Sequence, residues 1–180
     1  MKEIFLESDR LILSSFKAED SFRLADLCND IEIYRNNLSM PYPYSLEDAK
    51  DWLAYLDQAM DPNRFMVFAI RDKKDQKLMG CISLELSQIH KRAEVGYWLG
   101  QAYWNQGFMT EALKRIIAYV FEERKYHRIY GSHFPLNKAS GRVMEKAGMV
   151  YEGTLKGHLK KQDQYIDLVC YGLTKENYKK

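Results

Sequence analysis

The sequence predicts a mixed α/β (α+β) domain, and three observations carry that reading. Residues 65–70 form a continuous apolar run. Beyond a polar turn at 72–76, Leu78, Gly80, Ile82, Leu84 and Leu86 alternate with their neighbours, so the two segments read as a strand hairpin. Residues 107–123 carry one apolar pair per turn (Phe108/Met109, Ala112/Leu113, Ile116/Ile117, Val120/Phe121), which is the period of an amphipathic helix. The 180 residues are 46% hydrophobic and 29% charged, as expected of one globular domain spanning 1–180 with a real core.

The other elements follow in chain order. Residues 10–16 alternate as a first strand, and residues 17–20 open a helical stretch carrying Phe22, Leu24, Leu27 and Cys28. Pro41 and Pro43 push residues 40–44 into an extended path. Ser45, with Asp48 three positions on, reads as a capping box ahead of a helix carrying Leu46, Ala49, Trp52, Leu53 and Leu56. Residues 93–99 form the fourth predicted strand and residues 128–134 the fifth, ended by Pro135. A short helix over 138–147 is closed by Gly148 at its C′ position. Residues 150–159 and 165–173 give two last strands around the polar turn 160–164. The predicted order is strand, two helices, three strands, helix, strand, helix, two strands.

Composition excludes several classes. The 27 Lys+Arg against 25 Asp+Glu leave a net charge of +2 with no basic stripe, so nucleic acid is not an expected partner. Lys73-Lys74 sits beside Asp72 and Asp75 and reads as a solvated turn. Cys28, Cys81 and Cys170 form no C-x-x-C pair, and the first seven residues contain no apolar leader region. Reduced thiols in a cytoplasmic protein are expected. No apolar stretch reaches membrane-spanning length. The four histidines and three cysteines lack metal-ligand spacing, so no metal is expected. The 13 tyrosines read mostly as core and half-exposed sheet residues.

Two stretches could carry chemistry. The first runs from Ala93 through Glu94, Gly96, Tyr97, Trp98, Leu99 and Gly100 to Gln106, Gly107, Phe108, Met109 and Thr110. It is a strand, a loop and a glycine-containing helix start, where unpaired N–H groups and the positive end of the helix dipole suit a phosphate or pyrophosphate. Many strand–loop–helix units bind nothing, so the glycine alone does not decide. The second runs from Asn137 to Met149. Asn137 fits an N-cap, and Ser140 one turn on fits an ordinary helix-surface residue. Glycine spacing over 148–154 mimics a phosphate-binding loop but lacks its lysine, so it is read as a helix end and the next strand.

Together these stretches resemble the GNAT superfamily of acetyltransferases, in its RimJ/RimL branch of ribosomal-protein N-terminal acetyltransferases. The likeness rests on four blocks in order: residues 6–13, Glu94 to Leu99, Trp104 to Leu113, and Asn137 to Gly148 with residues 151–156. It implies the GNAT fold, a splayed, mixed, mostly antiparallel sheet flanked by helices. Acetyl-CoA, the cosubstrate, would lie in the V between the fourth and fifth predicted strands. Pantetheine would pair with main-chain groups near Trp98, Leu99 and Gly100. The pyrophosphate would take N–H groups from Gln106, Gly107, Phe108, Met109 and Thr110, Asn137 would bond the pantetheine arm, and Ser140 would sit near the sulfur. Two positions depart from the family pattern: Trp104 and Met109 occupy the first and last places of the usual pyrophosphate motif. The tyrosine that many members carry as general acid corresponds to Met144 here, which leaves Ser140 for that role.

Acetyl transfer needs a neutral amine and a base to take its proton. Glu94 is the candidate base, sharing a strand face with Gly96 and Trp98 by the two-residue period; a surface or ion-paired glutamate is the competing reading. Main-chain N–H near Leu99 would stabilise the oxyanion. Direct attack needs no covalent intermediate, so the cysteines need no catalytic role. His158 and Tyr165 are expected beside Glu94, and with Tyr42 and Tyr44 they are the candidate acceptor-binding residues. Three functions stay open: acetylation of a protein N-terminal α-amine, acetylation of a small amine such as a polyamine, amino sugar or antibiotic, and a non-catalytic acetyl-CoA-binding module. A polyamine site should gather carboxylates, for which Glu47, Asp48, Asp51 and Asp163 are available. Monomer and homodimer are both compatible with the sequence.

Overall fold

The structure is a computed structural model that describes residues 4–179; the start of the N-terminal reading, residues 1–3, lies outside them. Eight strands form one sheet: β1 (Leu6–Glu7), β2 (Leu11–Ser14), β3 (Phe65–Asp72), β4 (Leu78–Ser87), β5 (Arg92–Leu99), β6 (Arg128–His133), β7 (Val150–Lys161) and β8 (Gln164–Thr174). Their order is β1-β2-β3-β4-β5-β6-β8-β7. Every neighbouring pair is antiparallel except β5 with β6, which are parallel and joined through a helix.

The apolar run in β3 is explained by burial on both faces. Met66, Phe68 and Ile70 join Ile82, Leu84, Val95 and Leu99 in a core with α4 (Phe108–Ala118) and α5 (Lys138–Lys146). Val67 and Ala69 point the other way, under α1 (Ser21–Cys28) and α3 (Leu46–Ala59). The first face carries the larger core.

Ser45 caps α3 as its sequence suggests: its Oγ accepts the Asp48 N–H, and the Asp48 carboxylate accepts the Ser45 N–H. Gly148, at φ +94°, follows α5. The chain departs from expectation in three places. A short strand, β1, precedes the expected first one. A further helix, α2 (Ile31–Arg35), lies between the two expected helices, with the Asp30 carboxylate accepting N–H groups of Glu32 and Ile33. One turn and a half is too short for a periodic pattern to register. The helix beginning at Phe108 is α-helical only to Ala118 and continues as a π turn over Tyr119–Glu123. Tyr119, Val120 and Phe121 are all buried there.

One buried ion pair ties the layers together. Arg71 on β3 grips the Asp20 carboxylate at 2.9 and 2.6 Å and donates to Ser14 Oγ at 3.1 Å. This pins the segment entering α1 to the sheet.

Candidate active site

The sheet opens where β5 and β6 part. They pair from Arg92↔Arg128 to Val95↔Gly131; beyond that β5 runs on to Leu99 and β6 to His133 without pairing. The V expected between the two strands is therefore present. Its two sides belong to different helix layers.

On the α4/α5 side, the loop after β5 leads to Gly107, which caps α4 at φ +81° and ψ −1°. This left-handed conformation suits glycine and few other residues. The first intrahelical bond is donated by Glu111 N–H to Gly107 O at 3.0 Å, so the N–H groups of Phe108, Met109 and Thr110 precede it, as at any helix start. Met109 is buried in the core, so only its main chain can face a ligand. The acidic Glu111 in this first turn is neutralised: its carboxylate accepts from Ser8 Oγ, Arg10 N–H and Arg10 Nε at 2.7–2.8 Å. Burial pushes the Glu111 carboxyl up, but these bonds outweigh it and hold it below the usual range. Arg10 also donates to Gln106 O at 3.2 Å and lies 4.3 Å from the centre of the Phe108 ring. Arg10 thus braces the loop, a role absent from the sequence reading.

Trp104 has a structural answer too. Its indole N–H donates to Leu99 O at 2.6 Å, fastening the loop to the end of β5. Gly100 N–H is held by Met79 O at 2.9 Å. Two main-chain groups expected to be open to pantetheine are thus already paired, while Leu99 N–H and the Tyr97 main chain remain the better candidates on the parted edge. Trp104→Phe should weaken acetyl-CoA binding by up to about tenfold, the net worth of one neutral hydrogen bond. Calorimetric titration would measure this, and an unchanged affinity would remove Trp104 from the loop's support.

On the same side, Asn137 caps α5 with its Oδ1 accepting Ser140 N–H at 3.2 Å. Ser140 is buried, and its Oγ lies 2.9 Å from the Tyr97 hydroxyl. Met144 is 1% exposed and packed in the core, so no acid stands at its position. Gly141 lets α5 approach β6: a Cβ there would lie 2.8 Å from His133 Nε2.

The α1/α3 side holds a cavity of about 360 Å³. Gly96 and Trp98 of β5, Cys81 and Ser83 of β4, and Val67 and Phe65 of β3 are among its walls, with Tyr44 and Trp52 above. Burial pushes the Cys28 thiol up to about 12 and the Cys81 thiol further, so both border the cavity as inert neutral groups. Glu94 lies on this same face at the root of the V, one pair before the strands part. Tyr130 on β6 donates to Glu94 Oε2 at 2.9 Å, and burial followed by this bond pushes the phenol up to about 12. Glu94 forms no ion pair among the described residues.

Not every expected acceptor residue assembles here. Tyr44 does, buried beside Asp48. Tyr42 is exposed and packs on Tyr34 instead, ring centres 5.5 Å apart. His158 and Tyr165 do not stand beside Glu94. Glu94 is level with Tyr130 and Gly172, whereas Tyr165 lies seven residues farther along β8, about 23 Å at a strand's rise. Both are exposed, on a part of the β7–β8 hairpin that extends past β6. The tip of that hairpin docks on α2 and the chain after it: Lys161 Nζ donates to the carbonyls of Tyr34, Arg35 and Asn37, and Gln162 to the Tyr34 hydroxyl. Among the described residues, no three His, Cys, Asp or Glu side chains gather to hold a metal, and no helix is long and apolar enough to cross a membrane.

The model of the acetyltransferase (GNAT) domain matches residues 10–150. The chain belongs to the GNAT acetyltransferase family. It is 28% identical over 171 residues to an uncharacterised N-acetyltransferase of Bacillus subtilis (strain 168), covering 94% of this chain and 96% of that one. It is 26% identical over 185 residues to the [ribosomal protein uS5]-alanine N-acetyltransferase of Escherichia coli (strain K12), covering 96% and 91%. A solved GNAT-family acetyltransferase from Bacillus anthracis superposes with a TM-score of 0.86 at 25% identity, covering 96% and 99%. This GNAT protein is therefore an acetyl-CoA-dependent N-acetyltransferase, and its eight-stranded sheet is the GNAT fold.

Proposed function

We propose that this acetyltransferase acts on a protein N-terminal α-amine. The observation that supports the reading is the make-up of the acceptor-side cavity. Its walls are mostly apolar and aromatic, suited to the first side chains of a peptide, and they include Gly96, Tyr97 and Trp98 on the parted strand β5. Of the four acidic residues available for a polyamine, Glu47 and Asp163 lie outside the wall. Asp48 is bonded to Ser45, whose hydroxyl and N–H hold its carboxyl below the usual range. A relative that acts on a ribosomal-protein alanine, alike over nearly the whole chain, supports the same choice.

In this reading the domain spans 1–180 and works in the cytoplasm. Acetyl-CoA lies in the V with its pyrophosphate on the N–H groups from Gln106 to Thr110, where the helix dipole favours an anion. Asn137 holds the pantetheine arm and Ser140 sits at the sulfur. The amine enters from the cavity, and Glu94 takes its proton directly or through water. Nitrogen attacks the thioester carbonyl, Leu99 N–H steadies the oxyanion, and the C–S bond breaks with its electron pair on sulfur. An α-amine is about one-tenth neutral at pH 7 and a lysine only about once in 2,500 molecules, so a single carboxylate base suits the α-amine better.

The test is a competition among three acceptors: a lysine-free peptide with a free N-terminus, the same peptide N-terminally blocked and carrying one lysine, and spermidine. The free N-terminus should give the highest kcat/KM. Preference for spermidine would overturn the reading in favour of a small amine with a second cationic group, the alternative that Asp48 and Asp51 on the cavity wall favour.

A further inference from the structure

Tyr97 borders the acceptor cavity, and its side chain packs on the opposite face of β5, where its hydroxyl reaches the helix on the cofactor side. It lines the cavity beside Gly96 and Trp98, while its hydroxyl lies 2.9 Å from Ser140 Oγ and 3.1 Å from Ser140 O. It therefore spans the gap where β5 and β6 part. The tyrosine has a single hydroxyl hydrogen and two acceptors within reach. If that hydrogen goes to the Ser140 carbonyl, the serine's own hydrogen is drawn toward the tyrosine oxygen. If it goes to Ser140 Oγ, the serine's hydrogen is released to point elsewhere. The first arrangement satisfies both hydroxyls; the second leaves the serine hydrogen for a new acceptor, while the carbonyl keeps its place in the helix ladder.

We propose that Tyr97 is a positioning residue for acetyl transfer: by turning its hydrogen onto Ser140 Oγ, it frees the serine hydrogen to stabilise the sulfur as negative charge grows there. The proposal rests on the reading that Ser140 serves the sulfur. The balance is simple. The C–N bond forms, the C–S bond breaks, and sulfur keeps the electron pair. The amine's proton leaves through the base, and the two hydroxyls donate hydrogen bonds without losing their protons. Burial pushes the Tyr97 phenol up, which keeps it a donor at working pH. The two hydroxyls polarise one another, so the serine becomes a stronger donor than it is alone.

A double-mutant cycle in single-turnover transfer tests this with Tyr97→Phe, Ser140→Ala and the double variant. Each single change should slow transfer by roughly tenfold, the scale of one hydrogen bond, with acetyl-CoA affinity little changed. In the Ser140→Ala background, Tyr97→Phe should add almost nothing. Equal losses in both backgrounds would show that Tyr97 acts independently and would overturn the proposal, as would a Tyr97→Phe protein of wild-type rate. If Ser140→Ala transfers normally, the serine reading fails first and this proposal with it.

A second measurement needs no turnover. The thiolate absorbance of bound CoA, referenced to the same protein saturated with desulfo-CoA, reports the pKa of the bound thiol. That pKa should rise by about one unit in Tyr97→Phe and in Ser140→Ala alike, since one unit corresponds to about one hydrogen bond. A shift in the serine variant alone would overturn the role given to Tyr97.

Discussion

Gly107→Glu is expected to raise the acetyl-CoA dissociation constant by about a thousandfold while the domain stays folded. A carboxylate about 4 Å from a phosphate charge costs about 4 kcal/mol at an effective dielectric of 20. There is room for the side chain: a Cβ at Gly107 would lie 3.5 Å from Arg10 Nη2, an ordinary contact. Arg10 is already engaged by Glu111, so the new carboxylate adds net negative charge at the loop. The positive φ at Gly107 imposes a second cost of about 1–2 kcal/mol on any L side chain. Gly107→Ala carries that strain without the charge and separates the two effects. The readout is thermal stabilisation by acetyl-CoA, which should reach about 2.7 kcal/mol at 100 times the dissociation constant in wild type. Full stabilisation of Gly107→Glu would mean that the pyrophosphate binds elsewhere.

Glu94→Gln should lose turnover by about 10²–10⁴-fold at pH 7, the usual share of a general base, with acetyl-CoA binding intact. The substitution is mild for the fold, because a glutamine side-chain oxygen can still accept the Tyr130 hydroxyl. The pH dependence has a definite sign. Protonation of the amine opposes attack, so raising the pH supplies the neutral amine without help from a base and should recover part of the loss. A free α-amine should recover at lower pH than a lysine. A Glu94→Gln protein that matches wild type at every pH would leave Glu94 as a partner of Tyr130 only.

The fold was legible because its signals are local. The alternation in β4, the pairs along α4 and the Ser45–Asp48 box each need only a few neighbouring residues. The V was legible through the resemblance of residues 94–113 and 137–148. What escaped depends on distant partners. Arg10 meets Glu111 across some hundred residues, Lys161 meets the end of α2, and Trp104 is explained only by the carbonyl it holds at Leu99. His158 and Tyr165 stand away from Glu94 for a related reason. Strand order put them near the V, but register carries them beyond it on the extended hairpin. Nothing local in the sequence sets Tyr97 apart from the other sheet aromatics, and only the parting of β5 and β6 gives its hydroxyl a place at the site.

Transfer of an isotopically labelled acetyl group gives the most direct test. Labelled acetyl-CoA, this protein and a peptide with a free N-terminus are mixed and quenched through a single turnover, and the intact masses of protein and peptide are followed. Label should pass to the peptide's α-nitrogen in step with CoA release and never appear on the protein, as direct attack in the V requires. Label accumulating on a cysteine or another protein side chain before the peptide, or CoA released with no amide formed, would contradict direct transfer to an amine at this site.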